Sequence, residues 1–83
     1  MQIRVQNSQI INGRPVTSRQ LEVLLAVQDA GSQNAAARRL GISVPVVHKY
    51  LSGIEEAVGA PILKTTPSGS VLTAEGAEVA DVA

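Results

Sequence analysis

Residues 32–54 read SQNAAARRLGISVPVVHKYLSGI, and this stretch predicts two helices joined by a tight turn. Ser32 is a favourable N-cap, and the Ala- and Arg-rich segment that follows contains no Gly or Pro to interrupt a helix as far as Leu40. Gly41 stands where a left-handed residue commonly ends a helix. Ser43 can cap the second helix, and a proline in the first turn lacks only an N–H that would have no helical partner.

The second predicted helix carries an apolar stripe, because apolar residues recur at three- and four-residue steps from Val47 onward. Two helices joined by a short turn that contains Gly form the helix-turn-helix motif, whose second helix enters the major groove of DNA. The spacing from Ala37 to Gly41 supports this interpretation, since a small residue in the first helix lets the second helix cross closely. A plain helical hairpin with a packing glycine is the alternative that these residues leave open.

The composition limits the class of protein. The chain has 83 residues, 45% of them hydrophobic, which is enough for one domain, and with one Tyr and no Phe or Trp its core must be aliphatic. The absence of cysteine excludes disulfides and thiolate-based zinc sites. No apolar run approaches membrane-spanning length and the N-terminus is unlike a signal peptide, so we expect a cytoplasmic protein. With one histidine and no nucleophile paired to a base, we expect no enzymatic activity, metal site or cofactor.

Charge is unevenly distributed along a chain whose net charge is zero. Residues 1–54 carry six basic and two acidic residues, a net charge of +4, whereas residues 55–83 carry one basic and five acidic residues, a net charge of −4. This polarity fits a basic side that faces DNA and an acidic side that faces away. Ordinary scatter of charge in a small domain is the alternative.

The residues before the motif predict a β segment and a first helix. Residues 1–16 have a β pattern, within which Asn12-Gly13 is a strong signal for a tight turn. Pro15 should limit how far a strand continues. Thr17 and Gln20, three residues apart, predict a capping box at the start of the helix.

The residues after the motif predict a β-hairpin and a last helix. Residues 62–64 and 71–73 are predicted strands around a loop of turn-forming residues, 65–70, and a β-hairpin directly after the second helix of the motif is a wing. The fold class is therefore α+β, mostly α: a winged helix-turn-helix with a three-helix core, an N-terminal β-strand segment, a C-terminal β-wing and the start of a linker helix. We divide the chain into a winged helix-turn-helix domain at residues 1–73, which includes the β segment, and the start of a linker or dimerisation helix at residues 74–83.

Seven short motifs carry a resemblance to a known family. They are Ala30-Gly31-Ser32, Ala36-Ala37, Leu40-Gly41-Ile42-Ser43, Pro45-Val46-Val47, Ile54-Glu55-Glu56, Gly59-Ala60-Pro61-Ile62-Leu63 and Leu72-Thr73-Ala74-Glu75-Gly76. Together they resemble the N-terminal domain of LysR-type transcriptional regulators. The segment Asn12-Gly13-Arg14-Pro15-Val16 is more similar to the molybdate-responsive ModE-type regulators, which share the winged domain. The resemblance covers roughly residues 13–78.

The resemblance implies sequence-specific binding of double-stranded DNA, with helix 44–58 as the recognition helix, by a homodimeric regulator. The helix after the wing is the candidate dimer element, with Ala77, Val79, Ala80 and Val82 available to pair with a second copy. Both families carry a ligand-sensing domain after this helix. We expect no effector domain in this chain and assign no effector ligand.

Two departures from the LysR-type pattern concern the wing. Leu63 stands where the family usually has an aromatic residue, and Thr65 where it has an arginine. The predicted wing tip, residues 65–70, carries no charge, whereas a wing normally contacts phosphate. Each lost phosphate contact lowers the affinity for DNA and its dependence on salt, so we expect weak binding by a monomer.

A winged helix that binds another protein instead of DNA is the alternative function. The zero net charge and the uncharged wing favour it. The two interpretations differ in whether Arg38, Arg39, His48 and Lys49 form one continuous positive face. If acidic residues interrupt that face, the protein-binding interpretation is favoured over DNA binding.

The phase of the apolar stripe predicts which side chains face DNA. With Val47, Leu51 and Ile54 inward, the first turns of the recognition helix present the opposite side to the groove. We expect Tyr50 in the core and Glu55-Glu56 at a solvated helix end. The N-terminus of the preceding helix is placed to contact phosphate, and the arginines near its end either contact the DNA backbone or are solvated. The candidate DNA-binding residues are Ser32, Gln33, Arg38, Arg39, Ser43, Val44, Pro45, His48, Lys49 and Ser52.

Four of these candidates are suited to base edges. Lys49 can reach a guanine edge or a phosphate, and His48 can donate to a base acceptor. Val44 and Pro45 can contact a thymine methyl group. A solvated side chain without function is the alternative for His48.

Overall fold

The computed structural model describes residues 4–5, 8–11 and 14–82. Its order of elements agrees with the predicted α+β winged helix-turn-helix. In chain order the elements are β1 (Arg4–Val5), β2 (Ser8–Ile11), β3 (Arg14–Thr17), α1 (Ser18–Ala30), α2 (Gln33–Leu40), α3 (Val44–Val58), β4 (Leu63–Thr66), β5 (Gly69–Leu72) and α4 (Ala74–Val82).

The first three strands form an antiparallel sheet in the order β1-β2-β3. The prediction that Pro15 limits the strand was wrong, because β3 runs through Pro15, which lies opposite Ile10, to Thr17. β3 is an edge strand of this sheet, where a residue without an N–H is tolerated. The predicted turn at Asn12-Gly13 lies outside the described residues.

Local capping signals fixed the helix ends where they were predicted. The Thr17 hydroxyl accepts a hydrogen bond from the Gln20 N–H at 3.1 Å, and the Gln20 side chain accepts one from the Thr17 N–H at 2.7 Å, which confirms the capping box. Gly31, Gly41 and Gly59 follow α1, α2 and α3 in the left-handed conformation, with φ of 87°, 71° and 81°. The predicted bounds of the recognition helix, residues 44–58, are confirmed.

The core is aliphatic, as the composition predicts. It combines side chains of α1, α2 and α3 with Val16 from β3, Ile62 from the connection after α3, and Val79 from α4. Val16 and Ile62 are completely buried. The β segment and the last helix therefore pack on the same core as the helix-turn-helix.

The burial of Val79 corrects one prediction about α4. Val79 was predicted to be available to a second copy of the chain, but it is only 3% exposed and belongs to the core of its own domain. Ala80 also packs against that core, whereas Ala77 is exposed. One side of α4 therefore packs on its own domain, and Ala77 lies on the side that remains exposed.

The wing is a tighter hairpin than predicted. β4 and β5 are antiparallel, with Thr65 opposite Ser70 and Thr66 opposite Gly69, so Pro67 and Ser68 alone connect them. The predicted six-residue loop was therefore wrong: its outer residues extend the strands. The Ser70 N–H donates to the carbonyl of Gly31 at 2.9 Å, which ties the wing to the turn between α1 and α2.

Candidate nucleic-acid interface

The turn between α2 and α3 has the geometry of a helix-turn-helix. The N–H of Ile42 donates to the carbonyl of Ala37 at 3.0 Å, which closes the end of α2 around the left-handed Gly41. The Ser43 hydroxyl then caps α3 by accepting from the Val46 N–H at 3.3 Å. Ala37 is only 4% exposed, so this small residue lies at the contact between the two helices, as its spacing from Gly41 predicted.

One side of α3 is buried and the opposite side is open. Val47, Leu51 and Ile54 are in the core, as the apolar stripe predicted, and Tyr50 packs against it while remaining partly exposed. Six predicted contact residues lie on the open surface of this helix and its cap. Ser43, Val44, Pro45, His48 and Lys49 are exposed, and Ser52 is half-buried.

Sequence reasoning missed Val46 on this surface. Its side chain is 38% exposed, although it stands immediately before the fully buried Val47. A helix turns by about 100° per residue, so the phase set by Val47, Leu51 and Ile54 was the signal that could have placed Val46 at the open edge.

A groove of about 570 Å³ runs beside α3, where the start of α1 approaches it. Val46 and Lys49 contribute to its α3 wall, together with Glu56, and Gln20 lines the side formed by α1. A carboxylate therefore shares the groove with the lysine that was predicted to reach DNA. The groove meets the open surface of α3 at Val46 and Lys49.

Arg19 is a second residue that sequence reasoning missed. Its guanidinium lies 5.9 Å from the centroid of the Tyr50 ring and donates to the Glu22 carboxylate at 2.9 Å. The hydrogen bond to Glu22, followed by the interaction with Tyr50, raises the pKa of Arg19 above its ordinary value. The position of Arg19 beside α3 depends on how α1 and α3 pack, which no local sequence pattern reveals.

The N-terminus of α2 holds two of the predicted phosphate contacts. The Ser32 hydroxyl accepts from the Ala35 N–H at 3.0 Å and caps the helix, and Ser32 and Gln33 are both half-buried. The hydrogen bond from Ser70 to Gly31 brings the wing close to this helix start. The first N–H groups of a helix have no carbonyl partner within it, and since Ser32 engages that of Ala35, those of Gln33 and Asn34 remain for an oxygen of a ligand.

Of the two arginines at the end of α2, one is already paired. Arg38 and Arg39 are both exposed, but the Arg39 guanidinium donates to the carboxylate of Asp29 on α1. Within the described part of the chain, no ion pair involves Arg38, His48 or Lys49. The predicted positive face is thus partly neutralised at Arg39.

The wing tip is uncharged, as the sequence indicated. The Thr66 hydroxyl donates to the carbonyl of Gly69 at 3.0 Å and closes the turn, while Lys64 is an exposed basic residue further down β4. Among residues 14–82, no helix is long and apolar enough to cross a membrane. The same part of the chain contains no group of three or more acidic, His or Cys side chains that could hold a metal ion.

The sequence matches known regulators over most of its length. A family model described as "Bacterial regulatory helix-turn-helix protein, lysR family" matches residues 18–77. The chain is 36% identical to the HTH-type transcriptional regulator CbbR of Cereibacter sphaeroides over 58 residues, which are 70% of this chain and 19% of CbbR. It is 43% identical to the small neutral protease regulatory protein of Streptomyces coelicolor over 51 residues, 61% of this chain and 16% of that protein. The chain thus spans less than a fifth of these relatives.

The fold matches solved structures of regulators over the same region. CbnR, described as a LysR family transcriptional regulator, is 34% identical with a TM-score of 0.73 over 77% of this chain and 22% of CbnR. The DNA-binding domain of CbnR in complex with DNA has a TM-score of 0.71 at 34% identity, and the match covers 74% of that chain. Full-length LysG of Corynebacterium glutamicum is 27% identical with a TM-score of 0.75 over 81% of this chain and 23% of LysG.

Proposed function

The chain belongs to the lysR family of bacterial regulatory helix-turn-helix proteins, and from this premise we propose that it binds double-stranded DNA in a sequence-specific manner as the DNA-binding domain of a transcriptional regulator. The predicted resemblance to LysR-type regulators is confirmed by the family match. The resemblance to molybdate-responsive regulators stays a prediction. We propose a regulatory rather than an enzymatic activity, in keeping with the names of the relatives, and a cytoplasmic location.

The observation that carries the proposal is the free surface of α3. The helix buries Val47, Leu51 and Ile54 on one side and leaves the opposite side of its first two turns open, which is the arrangement a recognition helix needs to enter the major groove. The solved domain that matches this one over 74% of its length was crystallised with DNA. A common fold and a free recognition helix together support the same mode of binding here.

The predicted contact residues divide into two groups by the part of DNA they would meet. Those on the open side of α3 would meet base edges, and those at the caps and on α2 would meet phosphates, which position the helix without reading sequence. The base-edge group is Val44, Pro45, His48, Lys49 and Ser52. The phosphate group is Ser32, Gln33, Arg38, Arg39 and Ser43.

A homodimer is part of the proposal, because one domain of this size contacts only a half-site. Two half-sites about one helical turn of DNA apart match the two-fold symmetry of a dimer. The side of α4 away from Val79 is the remaining candidate for the contact between copies, with Ala77 exposed on it.

Protein binding by the same surface is the second candidate function. Asp29 pairs with Arg39, and Glu56 lines the groove beside Lys49, so carboxylates accompany two of the four basic positions expected to face DNA. The Asp29–Arg39 pair is exposed, with 51% of the arginine and 79% of the aspartate side chain accessible. Exposed pairs of this kind contribute little, so a phosphate can replace the carboxylate at small cost. DNA binding therefore remains the better-supported function.

Fluorescence anisotropy with a mixed pool of duplexes tests the proposal. At about 50 mM salt and tens of micromolar protein, even nonspecific contact with phosphates should register, and binding should weaken steeply as salt rises. Lys49→Ala and His48→Ala should reduce binding to a selected duplex more than to a scrambled one. Lys64→Ala also removes one positive charge, but from the wing, and it should reduce binding to the selected and the scrambled duplex equally. Absence of any salt-sensitive binding would favour the protein-binding alternative.

A further inference from the structure

The peptide group between Gly69 and Ser70 attaches the wing to the turn between α1 and α2. Its N–H, on Ser70, donates to the carbonyl of Gly31 at 2.9 Å, and its carbonyl, on Gly69, accepts from the Thr66 hydroxyl at 3.0 Å. One hydrogen bond therefore holds this peptide group to the start of the helix-turn-helix, and the other holds it to the wing itself. A displacement of the wing is transmitted to Gly31 through this group.

Gly69 lies too close to the same turn for any side chain. A Cβ atom there would overlap the carbonyl oxygen of Gly31 and would lie 3.9 Å from the Cβ atom of Ser32. The φ of Gly69 is 138°, which residues with a side chain rarely adopt. The wing can pack against the turn in this way only because residue 69 is glycine.

Gly31 lies where the chain changes direction between α1 and α2. It follows α1 with a φ of 87°, and the next residue, Ser32, is the N-cap of α2. Glycine has more accessible backbone conformations than other residues, so local sterics alone do not fix a turn built on it. The hydrogen bond from Ser70 holds the Gly31 carbonyl in one orientation, and with it the peptide group that leads into α2.

The wing tip has few groups of its own to offer a phosphate. Residues 65–70 carry no charge. The Thr66 hydroxyl gives its proton to the carbonyl of Gly69, and the Ser68 hydroxyl lies 3.3 Å from the Thr66 oxygen, so Ser68 is the donor in that contact. Both hydroxyl protons are therefore used within the turn itself.

We propose that the wing of this protein contributes to DNA binding by positioning the start of α2, and that Gly69 and Ser70 are positioning residues rather than DNA contacts. The N–H groups of Gln33 and Asn34 are the donors that α2 offers to a phosphate, and their direction follows from that of the turn before them. Donors that are already held in the bound orientation lose less entropy on association, which raises affinity. This inference rests on the proposed function and assigns the wing its part in it.

Two substitutions of Ser70 form a matched pair that tests the inference. Ser70→Pro removes the N–H that bonds to Gly31, whereas Ser70→Ala removes only the hydroxyl. The affinity of the full chain for a duplex selected from a random pool is measured by anisotropy at constant salt. Ser70→Pro should weaken binding about fivefold, which corresponds to the loss of one hydrogen bond of ordinary strength, and Ser70→Ala should bind as the parent does. Gly69→Ala, which forces the wing away from Gly31, should weaken binding to a similar extent.

Amide NMR signals distinguish positioning from a loss of the wing. In the free protein, Ser70→Pro should shift the signals of Gln33 and Asn34, which lie in α2, and should leave those of Leu63 and Leu72, which are paired in the wing, near their parent positions. At saturation with the duplex, the DNA-induced shifts of Gln33 and Asn34 should be smaller than in the parent. Where the proline also displaces the signals of the wing, the same comparison with Gly69→Ala decides.

Direct contact between the wing tip and DNA is the alternative, and Ser68→Ala tests it together with Ser70→Ala. If either loss of a hydroxyl weakens binding as much as Ser70→Pro does, the tip contacts DNA directly and the positioning inference is overturned. Full affinity in both Ser70→Pro and Gly69→Ala would also overturn it, while salt-sensitive binding by the parent chain would leave the proposed function standing. If the parent chain binds no duplex, the proposed function itself has failed and the positioning inference fails with it.

Discussion

The carboxylate of Glu55 accepts a hydrogen bond from the backbone N–H of Ile62 at 3.1 Å, and this contact joins the recognition helix to the wing. The carbonyl of Ile62 in turn accepts from the N–H of Thr73, at the start of α4, at 3.0 Å. The side chain of Ile62 is completely buried. One residue therefore fixes α3, the wing and α4 relative to each other through both of its backbone polar groups and its side chain.

The first prediction concerns the loss of this acceptor. Glu55→Ala would leave the partly buried N–H of Ile62 without its partner, and we expect the free energy of unfolding to fall by about 1–3 kcal/mol. Glu55→Gln retains a side-chain oxygen and should cost less. Urea denaturation followed by circular dichroism measures the free energy of unfolding of both variants.

Glu56→Ala is the matched control for Glu55. Glu56 is exposed and lines the groove instead of bonding to the backbone, so its loss should change the free energy of unfolding by less than about 0.5 kcal/mol. Equal losses at both positions would contradict the role given to Glu55.

A second prediction compares two helical glycines. A Cβ atom at Gly76 would lie 2.1 Å from the carbonyl oxygen of Ile62, whereas one at Gly53 would lie 2.3 Å from the terminal amide nitrogen of Gln20. The carbonyl is fixed by the backbone, but the end of the Gln20 side chain can move. Gly76→Ala should therefore lower the free energy of unfolding by about 2 kcal/mol or more, because it forces α4 away from the wing.

Gly53→Ala should have a much smaller effect than Gly76→Ala. Alanine gains about 1 kcal/mol over glycine in a helix interior, and this gain offsets the displacement of Gln20 from its capping interaction with Thr17. Thermal unfolding of both variants under identical conditions makes the comparison. A larger loss for Gly53→Ala would show that the groove wall is the more rigid of the two sites.

The parts of the fold that sequence predicted are those whose causes are local. A capping box needs only Thr17 and Gln20 three residues apart, and a left-handed C-cap needs only a glycine such as Gly41 after the last helical turn. The phase of α3 was also predictable, because the burial of Val47 and Leu51 repeats along a single helix. These signals were sufficient for the helix-turn-helix and for the outward side of its second helix.

The errors have a common physical cause, which is contact between distant segments. Pro15 lies within a strand because β3 happens to be at the edge of the sheet, and Val79 is buried because α4 folds back on α1. Glu55 was expected at a solvated helix end, but it is half-buried and bonded to Ile62, seven residues away. The pairing of Arg39 with Asp29 likewise depends on how two helices cross. None of these follows from residue type and spacing alone.

A third prediction tests whether the N-terminal β segment belongs to the domain, although the family match begins only at residue 18. Val16 in β3 is completely buried in the core, so Val16→Ala should lower the free energy of unfolding by about 2 kcal/mol through the loss of two buried methyl groups and the cavity they leave. Val71→Ala, at a valine that is 49% exposed, is the matched control and should cost less than about 0.5 kcal/mol. If Val16→Ala lowers the free energy of unfolding by no more than Val71→Ala does, the β segment does not contribute to the stability of the domain.

The last prediction concerns the exposed pair of Asp29 and Arg39. Asp29→Asn removes the carboxylate that neutralises Arg39, so we expect affinity for DNA at about 50 mM salt to rise several-fold and the salt dependence to steepen by up to about one phosphate contact. The free energy of unfolding should change by less than about 1 kcal/mol, because both side chains are at least half exposed.

Anisotropy titrations at several salt concentrations measure the change in affinity for DNA. Arg39→Gln provides the second arm of a double-mutant cycle. If Asp29→Asn raises affinity in the parent chain but not in the Arg39→Gln background, the gain passes through Arg39; an equal gain in both would place Arg39 outside the interface and leave only the change in net charge.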